Sequence, residues 1–177
     1  MANEFYNQLE RVASWQVVAL LFVLFIICAQ GFEWRHKKLG YENPSPDGRG
    51  WYSPVEVRDF LHNIKEEGRR TYYTTELTLD LLFPLVYGTL FASFITHVYA
   101  RKSAKILSLV PLLAVICDLM ENIILAYLAW QFDEQPSPVA RIAAMATAVK
   151  SGLFILSLLL ILWGALWTIW RTARSPA

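Results

Sequence analysis

The stretch 118–122, with the sequence DLMEN, places three polar side chains inside an apolar segment long enough to cross a membrane. That segment covers residues 106–130. Positions i, i+3 and i+4 of a helix lie on one face, so Asp118, Glu121 and Asn122 point the same way. A lone carboxylate at membrane depth costs about 2.5–3.5 kcal/mol. The rest of the chain must therefore surround this face with protein, a partner or trapped water.

The composition of the chain indicates a membrane protein. Hydrophobic residues make up 55% of the 177 residues, and mean hydropathy is +0.35, whereas soluble domains contain about 45–50% apolar residues. The net charge of +1 gives no electrostatic case for nucleic acid as a partner. Cys28 and Cys117 both lie in apolar segments, which argues against a disulfide framework and a thiolate metal site. We predict neither a metal nor another cofactor.

Four apolar segments predict four membrane-spanning helices, over residues 14–32, 77–99, 106–130 and 143–170. The leader before the first segment lacks the basic n-region of a cleaved signal peptide, so we expect the first segment to be retained. The sequence therefore predicts an all-α integral membrane protein. Residues 1–177 are expected to form a single membrane domain, built as a four-helix bundle.

The first loop is expected to carry a short amphipathic helix over residues 53–67. Its start, Ser53-Pro54-Val55-Glu56, has the pattern of a capping box with proline at the first helical position. Apolar residues follow at helical spacing, and Gly68 is a suitable stop. This helix is expected to lie on the membrane surface or over the mouth of the bundle.

The second span contains a proline that should change its hydrogen bonding. Pro84 has no backbone N–H, so the carbonyl of Asp80 loses its partner within the helix and a kink is expected there. Asp80 and Tyr87 are seven residues apart and therefore share a face.

Acidic side chains from different spans are expected to meet in one half of the bilayer, on the side of the long first loop. With a rise of about 1.5 Å per helical residue, Asp80 lies about 5 Å below that face, Glu121 about 14 Å and Asp118 about 18 Å. Lys150 enters the membrane from the same face. We therefore predict a polar pocket within the bundle that opens towards the long loop.

The residues of this pocket fall into two groups by expected role. The candidate acid–base residues are Asp80, Asp118 and Glu121. The candidate ligand contacts are Glu76, Phe83, Tyr87, Asn122 and Lys150, with Trp130 as a further wall residue. At least one acid should hold a proton near neutral pH, unless Lys150, Arg69 or a bound cation balances its charge. The competing interpretation is structural, with Asp118 and Asn122 hydrogen-bonding across helices.

Two family resemblances extend this interpretation. The motifs DxxFPxxYG at 80–88 and DxxEN at 118–122 resemble those of an uncharacterised family of small four-span bacterial membrane proteins. A more distant resemblance is to the EXPERA superfamily, which includes emopamil-binding sterol isomerases. Glu33 at the end of the first span, the 53–67 helix, and the acidic second span with Pro84 match that superfamily in kind. The DxxEN motif without a neighbouring histidine departs from the isomerase pattern.

Three functions are compatible with this pattern. The first is a pocket for a small lipophilic or lipid-like ligand, preferably cationic, with or without acid–base chemistry. The second is proton- or cation-coupled transport by a homo-oligomer. The third is a structural or partner-binding membrane subunit. In each case we expect a multi-pass protein of the bacterial inner membrane, in contact with membrane lipid.

Overall fold

The computed structural model describes residues 2–40 and 44–174, which are predominantly helical. The helices are α1 Ala2–Val12, α2 Trp15–Leu39, α3 Pro54–Asn63, α4 Lys65–Glu76, α5 Leu79–Val98, α6 Arg101–Leu107, α7 Leu109–Trp130 and α8 Ala140–Arg174, with a short 3₁₀ turn at Pro46–Gly48. No strand occurs among the described residues. The predicted all-α class is therefore confirmed.

Four helical segments are long and apolar enough to cross a membrane, as predicted. They are Trp15–Leu39, Lys65–Val98, Arg101–Trp130 and Ala140–Arg174. The second segment combines α4 with α5, and the third combines α6 with α7. Each helical segment is longer than the span predicted for it, because the helix continues past the apolar stretch into the polar residues that flank it.

The first span shows the consequence of this extension. We expected it to end at residue 32, but α2 continues to Leu39 and ends at Gly40, whose φ of 62° is in the left-handed region. Glycine adopts that conformation without a steric penalty, and its N–H donates to the carbonyl of His36. The additional two turns bring Arg35 into the helix with only 4% of its surface exposed.

The amphipathic helix of the first loop is present but has different bounds. α3 begins at the predicted capping box, in which Ser53 Oγ accepts from the Glu56 N–H at 3.3 Å and the Glu56 carboxylate accepts from the Ser53 N–H at 2.7 Å. It ends at Asn63 rather than residue 67, and α4 follows at once. Gly68 does not stop the helix but lies inside α4, where an added Cβ would be 2.7 Å from Ile64 Cβ. Glycine there permits close packing.

Loss of the capping box should destabilise α3. Replacing Ser53 with alanine should cost about 0.5–2 kcal/mol, measured by hydrogen exchange of the α3 amides. Ser53→Asp keeps an acceptor and should cost less. The hydrogen bond from the Ser53 backbone lowers the pKa of Glu56. The stabilisation that the ionised Glu56 carboxylate gives to the capping box is therefore present above the ordinary pKa of about 4.3. It is lost as pH falls through the lowered pKa. Equal protection in Ser53→Ala and the wild type would contradict this.

α5 and α7 are the central helices of the bundle. In the second and third spans, 50% and 44% of the most apolar stretch is buried, against 11% in the first and fourth, so the apolar stretches of α2 and α8 lie mostly on the outside of the bundle. α5 packs against α2, α7 and α8. Where α5 meets α7, a Cβ on Gly88 would lie 2.2 Å from Val115 Cγ2. Glycine is therefore required for this approach.

Candidate functional site

Five acidic and two basic side chains lie together at the end of the bundle covered by the long first loop. The acids are Asp47, Glu76, Asp80, Asp118 and Glu121, and the bases are Arg35 and Lys150. Glu76 and Glu121 are fully buried, and Asp80 and Asp118 are 7% and 6% exposed. We call these seven side chains the acidic cluster. With every group ionised, the acidic cluster has an excess of three negative charges.

Arg35 holds one half of the acidic cluster together. Its Nη1 donates to Glu76 Oε1 at 3.1 Å and to Asp80 Oδ2. Its Nη2 donates to Asp47 Oδ2 at 2.6 Å and to Ser45 Oγ at 3.3 Å. One guanidinium therefore connects α2 with α4, with α5 and with the 3₁₀ turn of the loop. Its five donors in a planar fork suit this multiple recognition.

Asp47 closes the loop over the bundle. Burial raises the pKa of its carboxyl, but the charges of Arg35 and Lys150 outweigh this and lower the pKa to about 2. The Tyr72 hydroxyl donates to the second oxygen, Asp47 Oδ1, at 2.9 Å. Asp47 is therefore ionised at neutral pH, and the loop is held by two charge-assisted hydrogen bonds.

Lys150 holds the other half of the acidic cluster. Its Nζ lies 2.9 Å from Asp118 Oδ1 and 2.5 Å from Glu121 Oε2. Glu121 Oε1 lies 2.5 Å from Thr147 Oγ1 and accepts from the Tyr52 hydroxyl at 3.2 Å. Because Lys150 and Thr147 are on α8 and Glu121 is on α7, this network joins the third and fourth spans beneath Tyr52.

Two tyrosines donate to the carboxylates of this second half. The Tyr52 hydroxyl points at Glu121, and burial together with the charge of Glu121 raises the pKa of Tyr52. Tyr52 therefore stays a neutral donor. The Tyr87 hydroxyl donates to Asp118 Oδ2 at 3.1 Å, which leaves Oδ1 for Lys150. Tyr87, which was predicted to share a face of its helix with Asp80, thus donates from α5 to an acid of α7.

Asn122 connects α7 to the carbonyl that Pro84 leaves free. Its Nδ2 donates to the backbone oxygen of Asp80 at 2.5 Å. The sequence predicts that this oxygen has no partner within α5, because Pro84 cannot donate to it. The contact is therefore a specific interhelical hydrogen bond, and it supports the structural interpretation for Asn122.

A double-mutant cycle tests this pairing. Asn122→Ala should cost about 1–3 kcal/mol of unfolding free energy, because it leaves the Asp80 carbonyl buried without a donor. In the Pro84→Ala background the helix supplies a backbone N–H to that carbonyl, so Asn122→Ala should cost less there. Strictly additive effects of Pro84→Ala and Asn122→Ala would show that the two residues do not share the carbonyl.

A cavity of about 460 Å³ adjoins the acidic cluster. Its aromatic lining residues are Phe32, Phe60 and Phe83, and its charged ones are Glu33, Arg35, Asp47, Asp80, Asp118 and Lys150. The exposed residues Glu33 and His36 also line it, so it reaches the surface on the side of the long loop. We call it the acidic cavity.

The structure distributes the predicted site residues unequally around the acidic cavity. Its lining includes Asp80, Asp118, Lys150 and Phe83. The other four predicted residues do not line it, but each contacts a residue that does: Glu76, Tyr87, Asn122 and Glu121. Trp130 was wrongly placed in the pocket wall. It is 65% exposed and borders a different depression beside Phe132. Arg69 was considered as a counter-ion, but its guanidinium lies 4.1 Å from the centre of the Phe132 ring.

Four residues of this site were not among the site residues predicted from the sequence. They are Arg35 and Asp47 of the acidic cluster, and Tyr52 and Thr147, which lie within hydrogen-bonding distance of Glu121. Arg35 lies about one helical turn beyond the apolar stretch of the first span. This position is the signal in the sequence for a basic group at the same membrane depth as Asp80. The other three carry no comparable signal.

Comparison of the chain with protein-family models, with curated proteins and with solved structures found no significant match. The two family resemblances therefore stay predictions. Function has to be argued from the geometry and charge of the site itself.

Proposed function

We propose that the protein binds a small cationic amphiphile, such as a lipid-like amine, in the acidic cavity. The supporting observation is charge: four acidic side chains line this cavity and only two basic ones do. A positively charged guest reduces that excess, and the gain is large where the dielectric constant is low. The volume of about 460 Å³ lies within the range of roughly 300–1,000 Å³ typical of small-molecule sites.

The aromatic part of the lining supports an amphiphilic guest rather than a free ion. The rings of Phe32 and Phe83 pack edge to face with centroids 5.1 Å apart, and both line the acidic cavity with Phe60. Aromatic faces attract organic cations and bury the alkyl groups attached to them. A guest with one charged group and an apolar body uses both kinds of surface.

Acid–base chemistry on such a guest would fall to Asp80 and Asp118. These two candidate catalytic residues line the acidic cavity, whereas Glu121 is fully buried and reaches it only through Lys150. Asp118 shares Lys150 with Glu121, so the charge of one carboxylate influences the other. In this proposal Glu121 positions Lys150, and Asp118 contacts the guest.

Binding is better supported than transport. Further along α5 from the acidic cavity, the rings of Tyr87, Phe91 and Phe154 pack with centroids 5.0–5.7 Å apart. This packing favours a site closed at its inner end over a continuous path.

We include in the proposal a bacterial inner membrane location, contact of α2 and α8 with membrane lipid, and assembly as a homo-oligomer. The EXPERA resemblance is compatible with an amine-binding pocket.

Equilibrium binding to the purified protein in nanodiscs tests this proposal. The probe is radiolabelled dodecylamine, with dodecanol and dodecanoate as competitors of equal chain length and EDTA present throughout. We expect the amine to bind at least about tenfold more tightly than either competitor, which is about 1.4 kcal/mol. Equal binding of the amine and the carboxylate would contradict the role of the acidic lining.

Asp118→Asn is the informative variant. It should weaken dodecylamine binding about tenfold, since it removes one negative charge from the cavity wall without changing side-chain shape. Lys150 keeps Glu121 as a partner, so the fold should persist. Glu67→Gln is the matched control, because Glu67 is an exposed acid on α4 and should leave the affinity unchanged. Unchanged affinity in Asp118→Asn would place the guest elsewhere.

A further inference from the structure

Three carboxylates around Arg35 have the spacing of a cation site. One oxygen each of Asp47, Glu76 and Asp80 lies within 4.8 Å of the others. Two oxygens on opposite sides of Ca²⁺ are about 4.6–5.2 Å apart, given bond lengths of about 2.3–2.6 Å. These three oxygens can therefore approach one ion of that size with little rearrangement.

Arg35 leaves acceptor sites on these three carboxylates unused. The guanidinium contacts one oxygen on each of Asp47, Glu76 and Asp80, and an ionised carboxylate has about four lone-pair sites on its two oxygens. Glu76 Oε2 is buried and has no hydrogen-bond partner among the described residues. A buried oxygen without a donor is costly. The fully buried carboxylate of Glu76 therefore has one unpaired acceptor oxygen available to a cation.

The charge of the acidic cluster is also compatible with a bound cation. With every group ionised, five acids and two bases carry an excess of three negative charges, which either protonation of some acids or a bound cation reduces. A divalent ion reduces this excess to one. A single remaining negative charge then matches a guest with one positive charge, although the ion site stands on its own geometry.

We propose that Asp47, Glu76 and Asp80 bind a hard divalent cation, with Ca²⁺ the best fit, in the wall of the acidic cavity beside Arg35. The donors are all carboxylate oxygens, which suit Ca²⁺, Mg²⁺ or Mn²⁺ and not thiophilic metals. Asp47 and Asp80 line the cavity, so water can supply the remaining ligands. Mg²⁺ requires near-ideal octahedral geometry, whereas Ca²⁺ accepts irregular sets of carboxylate oxygens, so Ca²⁺ suits three acids that also contact Arg35 better.

Equilibrium dialysis of the purified, EDTA-stripped protein against radioactive Ca²⁺ tests this site. We expect one Ca²⁺ per chain, with affinity reduced at least about tenfold in Glu76→Gln. Asp47→Asn should also reduce the Ca²⁺ affinity. Asp47 lies in the loop, so this variant tests the site without changing a membrane helix. The control is Glu67→Gln, an exposed acid on the same helix as Glu76, which should bind like the wild type.

Three results would overturn the site. They are absence of stoichiometric Ca²⁺ binding, unchanged affinity in both Glu76→Gln and Asp47→Asn, and an equal loss in Glu67→Gln, which would indicate weak surface binding. Size-exclusion chromatography of each variant shows that it is folded and monodisperse. This assay contains no amine, and the dodecylamine assay contains EDTA, so failure of the ion site and failure of the proposed function are observed separately.

Discussion

Replacing Arg35 with methionine is expected to lower the free energy of unfolding by about 3–5 kcal/mol. The guanidinium contacts three acids, the buried Glu76 and Asp80 and the half-buried Asp47, and its removal leaves them without this counter-ion. Methionine fills much of the volume but donates no hydrogen bond. The measurement is unfolding in mixed micelles of increasing SDS fraction, followed by circular dichroism. EDTA is included so that no divalent ion replaces the lost charge.

A control and a rescue separate charge from packing at Arg35. Lys37→Met changes an exposed residue of the same helix and should alter stability by no more than about 0.5 kcal/mol. Adding Asp80→Asn to Arg35→Met should restore part of the stability, because one unpaired charge is removed without loss of shape. If Arg35→Met costs no more than Lys37→Met, Arg35 is not the counter-ion of this cluster.

Lys150→Met is expected to have an effect of similar size, about 3–5 kcal/mol. It removes the ammonium group that lies 2.9 Å from Asp118 and 2.5 Å from Glu121. The same SDS titration measures it. Glu121→Gln should partly rescue Lys150→Met because the amide still accepts from Tyr52 and carries no charge.

The rescues should also be specific to each half of the acidic cluster. Arg35 contacts Glu76 and Asp80, whereas Lys150 contacts Asp118 and Glu121. Glu121→Gln should therefore restore more stability to Lys150→Met than to Arg35→Met. Equal rescue of both variants would mean that only the total charge matters and that the individual ion pairs do not.

The four spans were predictable because long apolar segments have few structural alternatives. A run such as 106–130 is too hydrophobic for a soluble surface and long enough for the bilayer. The helix ends were less predictable, since they depend on local capping. Gly40 was not recognised as the end of α2, and Gly68 was wrongly assigned as an end. Glycine permits both a left-handed cap and close packing, and only the neighbours decide which applies.

Part of the candidate site was also predictable, for a geometric reason. The distance of Asp118, Glu121 and Lys150 from the membrane boundary follows from residue number and helical rise, so groups at similar depth can meet. Pro84 likewise identified the Asp80 carbonyl as a group in need of a donor. That Asn122 supplies this donor depends on how α7 is rotated against α5.

By itself, the sequence determined that this chain spans a membrane four times and buries acids from its second and third spans, because hydropathy and helical periodicity are local properties. The tertiary structure decided which further groups join those acids in one network. Arg35, Asp47, Tyr52 and Thr147 belong to four different elements or loops, and their contacts span 10 to 95 residues of sequence. Such contacts depend on helix rotation and loop closure, which no local pattern encodes.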